Sequence, residues 1–195
     1  PSSNSESIEE SGYIFIPFQV SDDSQLLVQG NWIKDNISLV ESVHKSLNDL
    51  GIKRKIIIKE HPREFRNFNY QERLRKYDVQ FSEAGTIDLI NKSKVIVTNN
   101  STVGFEALVY CKPVIITGNA FYEAIPFISK ANNESEVTST LSKFLLSDIK
   151  FDVSEVNRYI STVYNKLVKC NYVSPSEIDI YNLWKKISEL QLIIE

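Results

Sequence analysis

"KSKVIVTNNSTVGFEAL", residues 92–108, joins a run of β-branched residues to an apolar helical pattern through four small polar residues, Asn99 to Thr102. Ile and Val side chains favour a pleated, buried strand, which places Lys94 to Thr98 in a sheet. The Ser and Thr that follow are residues that cap a helix, and the spacing predicts a helix over Thr102 to Tyr110. A strand that turns straight into a helix is one step of a βαβ unit.

The same step recurs along the chain. Four more short Ile- and Val-rich runs, Tyr13 to Pro17, Arg54 to Lys59, Val79 to Phe81 and Pro113 to Ile116, alternate with amphipathic stretches. Apolar residues at Ile33, Ile37, Val40, Val43, Leu47 and Leu50 recur at helical spacing, and Gly51 supplies a C-cap. Thr86 to Asn91 reads as a short helix capped by Thr86, and helices are predicted over Glu134 to Leu146, Val153 to Lys169 and Pro175 to Leu192. The fold class is therefore α/β: a Rossmann-like parallel sheet with helices on both faces and a helical C-terminal extension. The predicted organisation is a disordered polar tail over residues 1–11, a Rossmann-like domain over 12–150, and C-terminal helices over 151–195 packing on it.

Composition narrows the function. The 195 residues are enough for one well-buried domain and short for two. A net charge of -3, with no long block of one sign, argues against nucleic acid as a partner and against more than peripheral membrane association. Cys111 and Cys170 are the only cysteines, too few for a disulfide framework or a zinc site, so the expected setting is cytoplasmic and no metal is expected. No window approaches the roughly 20 apolar residues of a membrane span, and the start has no signal-peptide pattern. The chain holds no methionine, which leads to the expectation that it is part of something longer.

In an open parallel sheet, ligands bind where the loops leave the carboxyl ends of the strands. Every such loop here is polar. The first carries Gln19, Asp22, Asp23, Ser24 and Gln25; the second Lys59, His61 and Arg63; the fourth Asn100, Ser101 and Thr102. Backbone N–H groups and the dipole at a helix start suit a phosphate, so Ser101 and Thr102 are candidates to cradle one; the alternative is that Ser101 only caps its helix. Gly104 allows a ligand or a neighbouring segment close to the backbone. His61 between two cations suits a diphosphate or a nucleotide monophosphate leaving group, or else the turn is simply solvated. A carboxylate of the first loop could act as base, nucleophile or electrostatic partner, although a "DDS" is also a turn signal. Glu106, one helical turn after Thr102 on the same face, is either a carboxylate that accepts hydrogen bonds from a ribose diol or a solvent-facing helix charge.

Taken together, "FIPFQVSDDSQ", "IIKEHPRE" and "DLINKSKVIVTNNSTVGFEALVYCKPVIITGNAFYE" resemble, in order and spacing, the capsule polysaccharide biosynthesis and export family of bacterial Kdo transferases. The resemblance covers about residues 13 to 125. It implies the carboxyl-terminal, nucleotide-binding half of a GT-B glycosyltransferase that transfers Kdo from a CMP-activated donor with retention, using no cofactor beyond that donor. It carries Asp23 over as nucleophile or intermediate carrier and His61 as the group near the donor phosphate. Ser101 and Thr102 become the phosphate cradle and Glu106 the ribose ligand, with Gln19, Ser24, Gln25, Lys59, Arg63, Asn100 and Gly104 lining the site. The implied partners are the nucleotide-sugar donor, an oligosaccharide or glycolipid acceptor, and the acceptor-binding half that nothing before Tyr13 supplies. Cys111 stands where the family pattern carries glycine, a change expected to affect packing. Two other readings stay open: a CDP-glycerol-type polymerase domain, and a noncatalytic nucleotide-binding or assembly module of a capsule-synthesis complex.

Overall fold

The computed structural model describes residues 12–20, 32–64, 68–125, 127–147 and 151–166. Six strands form one parallel sheet: β1 (Tyr13–Pro17), β2 (Ile56–Lys59), β3 (Val79–Phe81), β4 (Ser93–Thr98), β5 (Val114–Ile116) and β6 (Ile128–Lys130). Their order is β3-β2-β1-β4-β5-β6. In register, Phe15 of β1 lies between Ile57 of β2 and Ile96 of β4. The side chains of Ile14, Phe15, Ile16, Ile56, Ile57, Ile58, Val95, Ile96, Val97, Val114, Ile115 and Ile116 are all fully buried. Burial on both faces is why these strands read as continuous apolar runs rather than as alternating ones.

The helices are α1 (Asn36–Leu50), α2 (Tyr70–Leu74), α3 (Thr86–Lys92), α4 (Thr102–Val109), α5 (Glu134–Leu146) and α6 (Val153–Lys166). Among the described residues none is long and apolar enough to cross a membrane. By contacts the chain divides into two compact units, Pro1–Val156 and Asn157–Glu195, and the whole sheet lies in the first. Within that unit, Leu39, Val40, Val43 and Leu47 of α1 and Val137, Leu141 and Phe144 of α5 are buried in one core cluster with Ile14, Ile16, Val95 and Val97.

Several boundaries differ from the sequence expectation, among them the ends of α3, at Lys92 rather than Asn91, and of α4, at Val109 rather than Tyr110. α1 begins at Asn36 rather than Ile33, because Asp35 caps it by accepting from the Ser38 N–H at 2.7 Å. Arg54, Lys55 and Pro113 precede their strands, which start at Ile56 and Val114. Ser93 joins β4 directly after α3. Thr86 is the first helical residue of α3, and Gly85 is the cap, without a side-chain bond. The sixth strand and the five-residue α2 carry too few apolar residues to show a period. The predicted helix over Pro175 to Leu192 and the last three residues of the one ending at Lys169 lie outside the described residues.

Two helices end alike with different residues. At the end of α1, Gly51 has φ 64° while its N–H bonds to the Asn48 carbonyl and the Ile52 N–H bonds to the Leu47 carbonyl. At the end of α4, Cys111 has φ 51°, with its N–H on Leu108 and the Lys112 N–H on Ala107. Both are Schellman turns with a left-handed residue just past the helix. Cys111 therefore affects the backbone as well as the packing, since a side chain in this region is strained. Cys111→Gly is expected to stabilise the protein by about 1 kcal/mol, read as a higher denaturant midpoint at unchanged slope. A midpoint equal to or below that of the parent protein would refute it.

Candidate functional site

The strand order reverses between β1 and β4, which pair in parallel although the chain runs out through β2 and β3 between them. The crevice outside such a reversal is where ligands settle in open α/β sheets. Gln19 leaves β1 and Asn100 leaves β4 on either side of it. Gln19 Nε2 donates to Asn100 Oδ1 at 2.7 Å, and Gln19 Oε1 accepts from the Asn100 N–H at 3.2 Å. Both residues are buried.

Behind this pair stands Asn36, at the start of α1. Its Oδ1 accepts from the Gln19 N–H at 3.2 Å, while its Nδ2 donates to the Gln19 carbonyl at 2.8 Å and to the Tyr70 hydroxyl at 3.2 Å. Burial raises the Tyr70 pKa, and the phenol packs edge-on against Phe18. Asn99 ties down the other side of the turn. It donates to the Ile33 carbonyl at 3.3 Å, accepts from the Thr117 hydroxyl at 3.3 Å, and receives the Gly118 N–H on its own carbonyl at 2.9 Å.

Ser101 caps α4: its hydroxyl oxygen accepts from the Val103 N–H at 3.3 Å. Accepting there leaves the hydroxyl proton for another acceptor, so capping and ligand contact are compatible. Thr102 opens the helix and is exposed. The Ser101 carbonyl accepts a hydrogen bond from Tyr122, a fully buried phenol on the β5–β6 loop whose pKa burial raises. That ring also covers Gly104: a Cβ placed there would lie 3.0 Å from Tyr122 Cζ and 3.2 Å from Cε2. The close approach permitted by Gly104 is thus taken up by a neighbouring loop. Lys130 of β6 braces that loop by donating to Asn119 Oδ1 at 2.6 Å and Glu123 Oε2 at 2.8 Å, and its ammonium holds the Glu123 carboxyl below its ordinary range.

The β2 loop contributes the basic side. Lys59 donates to the Ala84 carbonyl at 2.7 Å, which pins the β2 and β3 loops together. His61 Nδ1 accepts from the Arg63 N–H at 3.1 Å, so in the neutral ring the proton sits on Nε2. Arg63 is exposed. Beside them Glu60 is raised by burial and then by Glu83 and Glu64. Glu106 is exposed on α4, yet enough protein surrounds its carboxyl for desolvation to raise its pKa. Asp23, Ser24 and Gln25 lie outside the described residues.

Sequence reasoning passed over Asn36, Tyr70 and Tyr122. Asn36 falls among the polar positions of the helix expected from Ile33, and Tyr122 in a loop that reads as polar. Their common sign is burial of a polar group that has a partner far along the chain, which becomes visible only once the strands are ordered.

A parallel sheet in this order, with polar loops meeting at its reversal point, defines a Rossmann-like α/β domain with its candidate site at the carboxyl edge. The sequence matches the family described as "Capsule polysaccharide biosynthesis protein" over residues 2–144, and the chain belongs to that family. Protein FixF of Sinorhizobium fredii (strain NBRC 101917 / NGR234) is 32% identical over 132 residues, covering 67% of this chain and 32% of that protein. Among solved structures, the Thermosulfurimonas dismutans KpsC β-Kdo 2,7 transferase aligns with a TM-score of 0.55 at 22% identity, over 82% of this chain and 46% of that one. The Methanocaldococcus jannaschii UDP-GlcNAc 2-epimerase in complex with UDP-GlcNAc and UDP aligns with a TM-score of 0.53 at 15% identity, over 80% and 46%. At these identities the likeness is one of fold. The chain spans less than half the length of each of these relatives.

Proposed function

We propose that this chain is the donor-binding domain of a glycosyltransferase that moves Kdo, or a related sugar, from a CMP-activated donor to a growing bacterial surface polysaccharide. The family match over residues 2–144 is the observation that carries this reading. In it the site works on the cytoplasmic side, with an acceptor-binding half supplied elsewhere in the protein or by another chain. Ser101, through the hydroxyl proton that capping leaves over, and Thr102 hold the donor phosphate, His61 and Arg63 offset its charge, and Glu106 takes the ribose. Asp23 has the role of nucleophile in this reading. Departure of the sugar as a carbocation-like species with retention calls for a carboxylate on one face and a stabilised phosphate on the other.

A noncatalytic nucleotide-binding module is the second reading.

Calorimetry with CMP tests the donor reading, with UDP as the comparison. CMP is expected to bind more tightly than UDP, and Ser101→Ala with Thr102→Ala to weaken CMP by about tenfold or more, since a hydrogen bond to a charged group contributes roughly 1.5–3 kcal/mol. Unchanged CMP affinity in the double variant would remove the cradle role. No CMP binding by the parent chain would remove the donor reading itself.

A further inference from the structure

The structure assigns Gln19 and Asn36 a positioning role: through the relay Tyr70–Asn36–Gln19–Asn100 they hold the Asn99–Thr102 turn in place from behind, rather than by touching the ligand. This deepens the proposed function and rests on its placement of the donor at that turn.

Four buried side chains from four different segments make up the relay: Tyr70 at 5%, Asn36 at 4%, Gln19 at 6% and Asn100 at 3% exposure. Each amide binds its neighbour at two points. Asn36 grips both backbone groups of Gln19, and Gln19 grips one backbone and one side-chain group of Asn100. Two-point contacts fix orientation as well as distance, and a buried network in which each link depends on the next behaves as a unit. Its line crosses the reversal between β1 and β4, where the bond from Asn99 to the Ile33 carbonyl is a second tie between the two rim loops. The result is a bridge from the exit of β1 to the residue just ahead of the Ser101 cap. Gln19 turns its amide oxygen and one amide proton onto Asn100, and so places Asn100 and, through it, Ser101.

Asn36 has the same role one step further back. It sits in the first turn of α1, bonded to Gln19 and Tyr70, and reaches Asn100 only through Gln19. Loss of Asn36 therefore leaves two buried backbone groups of Gln19 without partners and loosens the exit of β1. Tyr70 is the outermost link, its hydroxyl accepting from Asn36 at 3.2 Å.

The test uses three neutral, shape-preserving variants of the whole chain: Gln19→Met, Asn36→Leu and Tyr70→Phe. Amide hydrogen exchange is followed in the absence of ligand at Ser101, Val103 and Gly104, none of which bonds to Gln19, with α5 as an internal control. Gln19→Met is expected to speed exchange at these three amides on the order of tenfold, Asn36→Leu by less and Tyr70→Phe least, while exchange in α5 stays put, since local opening reports local stability. The dissociation constant for CMP, measured by calorimetry well below the melting temperature, is expected to rise in the same rank order. Exchange that is unchanged at the turn, or that rises equally there and in α5, overturns the positioning role, because a contact residue gives the first and a merely stabilising one the second. Should Gln19→Met not fold, Asn36→Leu and Tyr70→Phe still decide between these outcomes. If the exchange shifts appear but the parent chain binds no CMP, the relay stands and the nucleotide reading falls.

Discussion

Gly104→Ala is expected to destabilise the protein by about 2–4 kcal/mol, although alanine is the better helix former. The intrinsic gain from replacing a helical glycine is at most about 1 kcal/mol. Against it stands the Tyr122 ring, with Cζ 3.0 Å and Cε2 3.2 Å from the position of the new methyl group and the hydroxyl closer still. Tyr122 has little room to yield. It is fully buried, its hydroxyl donates to the Ser101 carbonyl, and its ring sits 5.1 Å from Phe121 and 6.1 Å from Phe105, centroid to centroid. Overpacking costs roughly 1–3 kcal/mol, and a buried hydroxyl pushed off its acceptor about 1–3 kcal/mol more. For a chain of this length that is a melting temperature lower by roughly 5–10 °C. Tyr122→Phe in the Gly104→Ala background should recover part of the loss, because the hydroxyl is the atom in the way. A Gly104→Ala protein that melts with the parent would show that Tyr122 does not hold this seat.

This seat illustrates what the sequence could and could not disclose. Gly104 in an apolar helical run signals a close approach, but nothing local says whether a ligand or a loop makes it; Tyr122, 18 residues on, supplies the answer through folding. The central strands were legible because Ile and Val runs buried on both faces leave no ambiguity about where they belong. β6, with only Ile128 buried among its three residues, offered no such run. Ser101 announced itself as a cap, and it is one, since a cap depends on residues two or three positions away. The Gln19–Asn100 pair depends on residues 81 positions apart and on β1 and β4 being neighbours. Gln19 was therefore legible as a rim residue, while the direction its amide takes was not. His61 shows the intermediate case: the His-Pro turn could be read, whereas the engagement of Nδ1 by the Arg63 N–H could not.

That engagement shapes the second large expectation, which concerns chemistry in the full-length protein. With Nδ1 accepting from the backbone, a neutral His61 presents an Nε2–H to whatever lies beyond it, and in the proposed function that is a phosphate oxygen of the donor. A group beside the leaving phosphate acts on bound donor and on the transition state alike, so His61→Ala should both raise KM and lower kcat. Loss of one such electrostatic donor typically costs about 10²–10³-fold in rate. Two amide variants separate the functions of the two ring nitrogens. The shorter Asn side chain can reproduce the Nδ1 contact with Arg63, which keeps the turn but places no donor where Nε2 stood. The longer Gln side chain reaches the Nε2 position. His61→Gln should accordingly retain more transfer than His61→Asn, which should resemble His61→Ala. Asp23→Asn should differ from all of these, abolishing transfer while leaving nucleotide affinity nearly unchanged, because an amide keeps the shape of the carboxylate without its charge or its nucleophilic oxygen. Steady-state transfer from CMP-Kdo to a Kdo-accepting glycan, with CMP affinity measured on the same preparations, distinguishes them. Parent-like transfer by His61→Asn would take the imidazole away from the leaving group, and substantial transfer by Asp23→Asn would take the nucleophile away from Asp23.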